Sequence, residues 1–190
     1  MIIIGILGDI GSGKSYVADQ FGYPVFNADK EVAKIYRNSK VCFKKLKKLL
    51  PSYIKSFPIN KTELTNSILS NEKNIKKISR IVHPMVRKEM NLFLIKNKKK
   101  KVVILDVPLL LENKIKIKDM ILVFVDSKKS DVLNRLKSRK GFNRKILNRL
   151  REIQLPLDYK KRNSDYIIKN YYTKKFVRKN VKSILKNILL

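Results

Sequence analysis

The sequence holds one cysteine, one histidine, six glycines and 15 acidic residues in 190 positions. A lone cysteine, Cys42, excludes an internal disulfide framework and suits a reducing cytosol, so a cytoplasmic setting is expected. No stretch is apolar for long enough to cross a bilayer. The most apolar later run, residues 102–111, contains Asp106 and Pro108 and reads as a buried strand. The apolar start at residues 1–7 has no basic residues before it and passes straight into glycines, so no secretory leader is expected. No internal repeat, RNA-binding signature or helix-turn-helix signature is present.

Acids are scarce against 45 Lys and Arg, which leaves a formal net charge of +30. Such an excess attracts polyanions: nucleic acid, anionic membrane surfaces or phosphorylated metabolites. Lys, Asn and Ile also crowd segments where no site is expected, such as 96–101 and 174–187. Their codons are A/T-rich, so a biased genome yields the same composition. The lysines are spread along the chain rather than gathered in one block. The favoured reading is compositional drift with a general preference for anionic ligands, and no specific nucleic acid or membrane partner is expected.

With 44% hydrophobic residues the chain can bury a core. Residues 2–7 read as a strand buried on both faces. A helix follows over about 14–21, a turn at Gly22-Tyr23-Pro24, and a short strand at 25–26. From about 30 to 98 the pattern is helical and amphipathic, with loops near Pro51 and Pro58, as in a helical lobe inserted between strands. Further strands are expected at 102–106, 120–125 and 166–168. A basic helical stretch over about 128–161 is broken at Gly141, and a helix closes the chain at 174–189. Strands alternating with helices predict an α/β fold around a parallel sheet.

The most specific motif is Gly8-Asp9-Ile10-Gly11-Ser12-Gly13-Lys14-Ser15, which fits G-x-x-x-x-G-K-[ST] at every defined position. Glycines permit the positive φ of a tight turn. Successive N–H groups then converge on phosphate oxygens, and the following helix points its positive dipole end there. Lys14 brings a charge to the β- and γ-phosphates, and the Ser15 hydroxyl can ligate Mg²⁺. The loop follows a buried strand and opens a helix, the context this motif requires. It marks a nucleoside-triphosphate binder without naming the acceptor.

Three constellations lie just past strand ends, where parallel-sheet sites form. They are Asn27-Ala28-Asp29-Lys30, Asp106-Val107-Pro108-Leu109-Leu110-Leu111-Glu112, and Ser164-Asp165-Tyr166-Ile167-Ile168-Lys169-Asn170. The only histidine, in His83-Pro84, lies between the first two. From the residues alone, Asp29 reads equally as a general base or as the N-cap of a helix starting at Lys30. Asp106 reads as a strand-end metal carboxylate or a turn residue. His83 reads as a ligand-binding side chain or a helix start with Pro84 at its first position.

Taken in order and spacing, these pieces resemble the dephospho-CoA kinase family from Ile2 to about Asn170. The matching pieces are the loop, Asn27-Ala28-Asp29, His83-Pro84, Pro108–Glu112, a lid segment at Arg135-Leu136-Lys137-Ser138-Arg139 followed by the Arg149 to Gln154 helix, and Ser164 to Asn170. The resemblance implies a P-loop kinase fold of three α/β/α layers around a mainly parallel five-stranded sheet. The nucleotide core would be residues 1–29 and 100–190, with a basic helical lid at about 128–162. Residues 30–99 would form the inserted acceptor-binding lobe. The implied reaction is ATP-dependent phosphorylation of the ribose 3′-hydroxyl of dephospho-CoA, with Mg²⁺, giving coenzyme A and ADP.

The resemblance implies Asp29 as general base, with Lys14 and Arg139 stabilising charge. Gly8, Gly11, Ser12, Gly13, Lys14, Ser15, Tyr16 and Asn170 would bind ATP, Asn170 near the adenine. His83, Arg87, Pro108 and Leu109 would hold the acceptor, and Ser15 and Asp106 the metal. Arg135 and Arg144 are weaker lid candidates. Four positions depart from the family pattern. Asp9 replaces a common glycine and puts a negative charge beside the phosphates. Asn27 replaces the first aspartate of its pair, Tyr16 replaces Ser or Thr, and Lys169 stands where an acid is usual. Rival readings are a nucleoside monophosphate kinase, against which His83-Pro84 and Pro108–Glu112 speak, and a nucleic-acid-associated P-loop ATPase, favoured by the charge. No signal of oligomeric state is present.

Overall fold

Val102, Val103, Ile104 and Leu105 are each fully buried, as a central strand covered on both faces must be. The computed structural model describes residues 1–190 apart from Lys114, Lys116, Lys140 and Leu190. Its elements run β1 (Ile2–Gly8), α1 (Lys14–Gln20), β2 (Val25–Asn27), α2 (Ala28–Asn38), α3 (Lys40–Leu49), α4 (Lys61–Ser70), α5 (Lys73–Lys96), β3 (Val102–Asp106), β4 (Ile121–Asp126), α6 (Lys129–Lys137), α7 (Arg144–Glu152), α8 (Leu157–Arg162), β5 (Tyr166–Lys169) and α9 (Lys174–Leu189). None of the described helices is long and apolar enough to cross a membrane.

The chain divides into two compact units. One comprises Met1–Asn27, Lys96–Phe142 and Arg151–Leu190; the other comprises Ala28–Ile95 and Asn143–Leu150. The first unit is built on a five-stranded sheet of order β2-β3-β1-β4-β5. Every strand pair is parallel. Ile4, Ile6, Ile104, Val123 and Ile168 meet Val17, Phe21, Val177, Val181 and Ile184 in one apolar cluster. This packs α1 and α9 on one face, while α8 lies against β1. Each fully buried aliphatic side chain contributes roughly 1.5–3 kcal/mol, so this cluster is a large contributor to the unit's stability.

One charged pair is buried on the α8 side. Lys160 is 0% exposed, and its Nζ lies 2.5 Å from Glu112 Oε1. The same oxygen accepts from the Leu155 backbone N–H at 3.0 Å. Glu112 Oε2 is buried and has no hydrogen-bond partner among the described residues. The pair therefore joins the segment after β3 to the start of α8 at a desolvation cost only partly offset by hydrogen bonds.

The second unit carries α2 to α5. Ser39 caps α3 by accepting from Cys42 N at 3.1 Å, and Asn60 caps α4 by accepting from Thr62 N at 2.8 Å. Two sequence-based alternatives are corrected here. Pro84 does not open a helix but lies inside α5. The buried stripe Ile75, Ile78, Val82, Val86 and Met90 continues at helical spacing across it. That burial outweighs the roughly 3 kcal/mol that an interior proline costs. Likewise α2 begins at Ala28, so Asp29 sits in its first turn and does not cap a helix starting at Lys30.

Two outcomes are expected. Lys160→Met leaves Glu112 buried without its cation, a loss of about 3–5 kcal/mol; calorimetry should show a melting temperature lower by roughly 10 °C, partly regained in Glu112→Gln/Lys160→Met. An unchanged melting temperature in the single variant would refute this account. Burial pushes the Cys42 thiol up to about 11, with Lys45 opposing the shift. Well below pH 8 the thiol is protonated in both folded and unfolded chains. Above it the unfolded chain ionises first, so the contribution to stability falls as pH rises toward 11. Iodoacetamide at pH 8 should label Cys42 in denaturant and spare it in the folded chain.

Candidate active site

Parallel register sets the site. Asn27 at the end of β2 is paired with Asp106 at the end of β3. β1 lies between β3 and β4 in the sheet, so the loop leaving β1 emerges beside Asp106 at the carboxyl edge. The loop itself needs glycine at two places. Gly11 has φ 86° and packs against Leu136, and Gly13 has φ 87° with Asn170 Nδ2 only 2.5 Å from where a Cβ would stand. Any side chain there would be strained in backbone and blocked in space.

Lys14 is 8% exposed. Its Nζ donates to Asp9 O at 2.7 Å and Gly8 O at 3.2 Å, which holds the charge at the loop's mouth. The loop is braced from behind by β4 and the segment after β5. Ser127 Oγ and Asn170 Nδ2 donate to Ser12 O at 2.9 Å and 2.8 Å. Asn170 Oδ1 accepts from Tyr172 N at 2.9 Å, and Tyr172 Oη donates to Gly11 O at 3.3 Å. Tyr172 holds φ 59°, an uncommon conformation for a large residue, and its ring lies 4.2 Å beneath the Arg135 guanidinium.

Beside the loop, the Ser15 hydroxyl donates to Asp106 Oδ2 at 2.5 Å. Asn27 Nδ2 donates to the same carboxylate oxygen at 2.6 Å and reaches Ser15 Oγ at 3.3 Å. Asp106 is 3% exposed. A hydroxyl oxygen and a carboxylate oxygen are hard donors of the kind Mg²⁺ takes. Among the described residues no group of three or more His, Cys, Asp or Glu could hold a metal. The donor set therefore suits an ion that draws its remaining ligands from nucleotide phosphates and water.

The other expected site residues are placed as follows. Ser12 is buried, and its Oγ has no hydrogen-bond partner among the described residues. Tyr16 is half-buried and packs on the apolar cluster of the sheet. Pro108 and Leu109 are half-buried in the turn after β3. Arg139 is exposed just past α6 and Arg144 is exposed at the start of α7. Asp29 is exposed on α2. On α5, His83 is half-buried and Arg87 exposed, four residues apart and so on one face. The structure brings Gly8, Gly11, Ser12, Gly13, Lys14, Ser15, Asp106 and Asn170 together with Asn27.

Sequence reasoning passed over Ser127, Tyr172 and Arg151. Arg151 Nη2 lies 2.9 Å from Asp9 Oδ2, and a lone acid inside a phosphate loop was the signal that a cation should be sought.

A parallel sheet with a glycine loop after its central strand, a buried lysine at the loop's mouth, and a Ser–Asp pair beside it define a P-loop kinase. The family model for dephospho-CoA kinase matches residues 2–175. A dephospho-CoA kinase of Wolbachia pipientis wMel is 34% identical over 194 residues, covering 100% of this chain and 99% of the relative. The chain belongs to the dephospho-CoA kinase family. A crystal structure from Thermus thermophilus superposes with a TM-score of 0.78 at 26% identity, over 100% of this chain and 98% of the other. A dephospho-CoA kinase from Campylobacter jejuni shares the fold, with a TM-score of 0.63 at 20% identity over 98% and 96% of the two chains.

Asp106→Asn keeps the shape and removes the charge. Turnover with Mg·ATP should fall by roughly 10²–10³, measured as ADP release, while circular dichroism stays unchanged. Activity within threefold of the unaltered chain would show that the carboxylate serves only the turn.

Proposed function

We propose that this chain transfers the γ-phosphoryl group of ATP to the ribose 3′-hydroxyl of dephospho-CoA, giving coenzyme A and ADP. The observation that carries the reading is the Ser15–Asp106–Asn27 cluster beside the Lys14 loop, in a chain whose family is defined by this reaction. Catalysis of phosphoryl transfer is chiefly alignment and charge stabilisation, and the residues divide along those lines.

The loop N–H groups and Lys14 hold the β- and γ-phosphates. Ser15 and Asp106 would hold Mg²⁺, whose positive charge offsets that of the phosphate oxygens. Asn27 donates to Asp106, fixing that carboxylate's orientation. An aspartate there would place two anions side by side, so the asparagine lowers the repulsion at the cost of one negative charge. Asp29 follows Asn27 by two residues, a span of at most about 7 Å, which supports its assignment as general base. The 3′-oxygen attacks the γ-phosphorus and its proton passes to the Asp29 carboxylate. The bond from that phosphorus to the β,γ-bridging oxygen breaks, and ADP leaves. Arg139 neutralises charge on the moving phosphoryl group. His83, Arg87, Pro108 and Leu109 position the acceptor, and Asn170 lies on the adenine side. The single cysteine, free and buried, supports a cytoplasmic setting.

The test offers Mg·ATP with dephospho-CoA, adenosine, AMP, UMP or CMP and follows ADP release. Turnover should occur with dephospho-CoA alone and fall by about 10² or more in Asp29→Asn. Turnover with a nucleoside monophosphate would discard the acceptor assignment. Hydrolysis stimulated by polynucleotide, with no acceptor turned over, would favour a nucleic-acid-associated ATPase.

A further inference from the structure

A phosphate loop gains affinity from positive charge, yet this loop carries a carboxylate. Asp9 is one residue past Gly8, and its side chain is only 15% exposed. Its Oδ1 accepts from the Ile10 N–H at 2.7 Å, so the anion is held within the loop and does not swing out to solvent. Its own carbonyl receives Lys14 Nζ at 2.7 Å. Taken alone, Asp9 would cancel the charge that Lys14 brings, and the loop would present no net positive charge to a triphosphate. The Arg151 guanidinium, in the last turn of α7, meets Asp9 Oδ2 at 2.9 Å with 42% of its side chain exposed.

We propose that Arg151 is the counter-charge of the phosphate loop, a positioning residue that neutralises Asp9 and thereby restores nucleotide affinity. The pair acts as one device: its worth to ATP binding depends on both members being present. Other arginines of the lid stretch do not share this task among the described contacts. Arg135 is stacked on Tyr172, and Arg139 and Arg144 are exposed. With the Arg151 side chain 42% exposed, the pair acts in a salt-dependent way.

The inference rests on the reading that this loop binds ATP, so the experiment measures ATP binding by calorimetry without any acceptor. The unaltered chain is compared with Arg151→Met, Arg151→Lys, Asp9→Asn and Asp9→Asn/Arg151→Met at low and high salt. Arg151→Met should weaken ATP binding about tenfold at low salt and less at high salt. Arg151→Lys should recover most of the loss. Asp9→Asn alone should bind as tightly as the unaltered chain or a few-fold tighter, and in its background Arg151→Met should cost threefold or less. An equal loss in both backgrounds would overturn the proposal and make Arg151 a direct nucleotide ligand. Weaker binding by Asp9→Asn alone would overturn it too, even if Arg151→Met fails to fold. An unaltered chain that binds no ATP would sink the underlying reading itself, whereas failure with dephospho-CoA leaves this test untouched.

Discussion

The parallel register of β2, β3 and β1 is the constraint on which the rest depends. Backbone hydrogen bonding between parallel strands fixes neighbours at a slanted, even spacing. Asn27 thereby falls opposite Asp106, and the carboxyl end of β1 opens next to both. A shift of one residue in either pairing would turn Asp106 toward the opposite face and separate it from Ser15. The buried aliphatic side chains of the sheet hold that register, because any slip would drive Ile4, Ile104 or Val123 out of the apolar cluster. The chemistry at the edge is thus secured by packing in the middle.

Much of this was legible in the sequence. Runs such as 102–106 are apolar on both faces, which only a buried strand explains, and β3 occupies those residues. The final helix, over 174–189, likewise coincides with α9, since its apolar positions recur at helical spacing. The loop and its lysine were readable because glycines and a lysine at that spacing, between a buried strand and a helix, have few other uses. Asp106 stood out as an acid ending an apolar run, and the structure pairs it with Ser15 and Asn27.

What escaped the sequence had physical causes. Pro84 is a local breaker, and local chemistry argued for a helix start; the buried stripe on both sides of it prevailed. Asn27 looked like a weakened aspartate until the strand pairing showed its amide donating to Asp106. The partners of Asp9 and Glu112 lie 142 and 48 residues away. A chain with 45 basic residues offers too many candidate cations for periodicity to choose among them. Tyr172 gave no signal, because a residue in the left-handed region that is not glycine is marked only by its surroundings.

Lys14 holds the Gly8 and Asp9 carbonyls while Ser127 and Asn170 hold the Ser12 carbonyl and Tyr172 holds that of Gly11. Those contacts order the loop during folding. The conformational entropy of shaping a phosphate cradle is therefore lost before any nucleotide arrives, and binding need not supply it again. The same coupling runs in reverse: a nucleotide that grips this loop also grips β1, β4 and the segment after β5. Nucleotide concentration in the cell then acts as a stabilising agent for the whole sheet. A protein with so repulsive a net charge gains from that, since each bound triphosphate lowers the self-repulsion that opposes its folding.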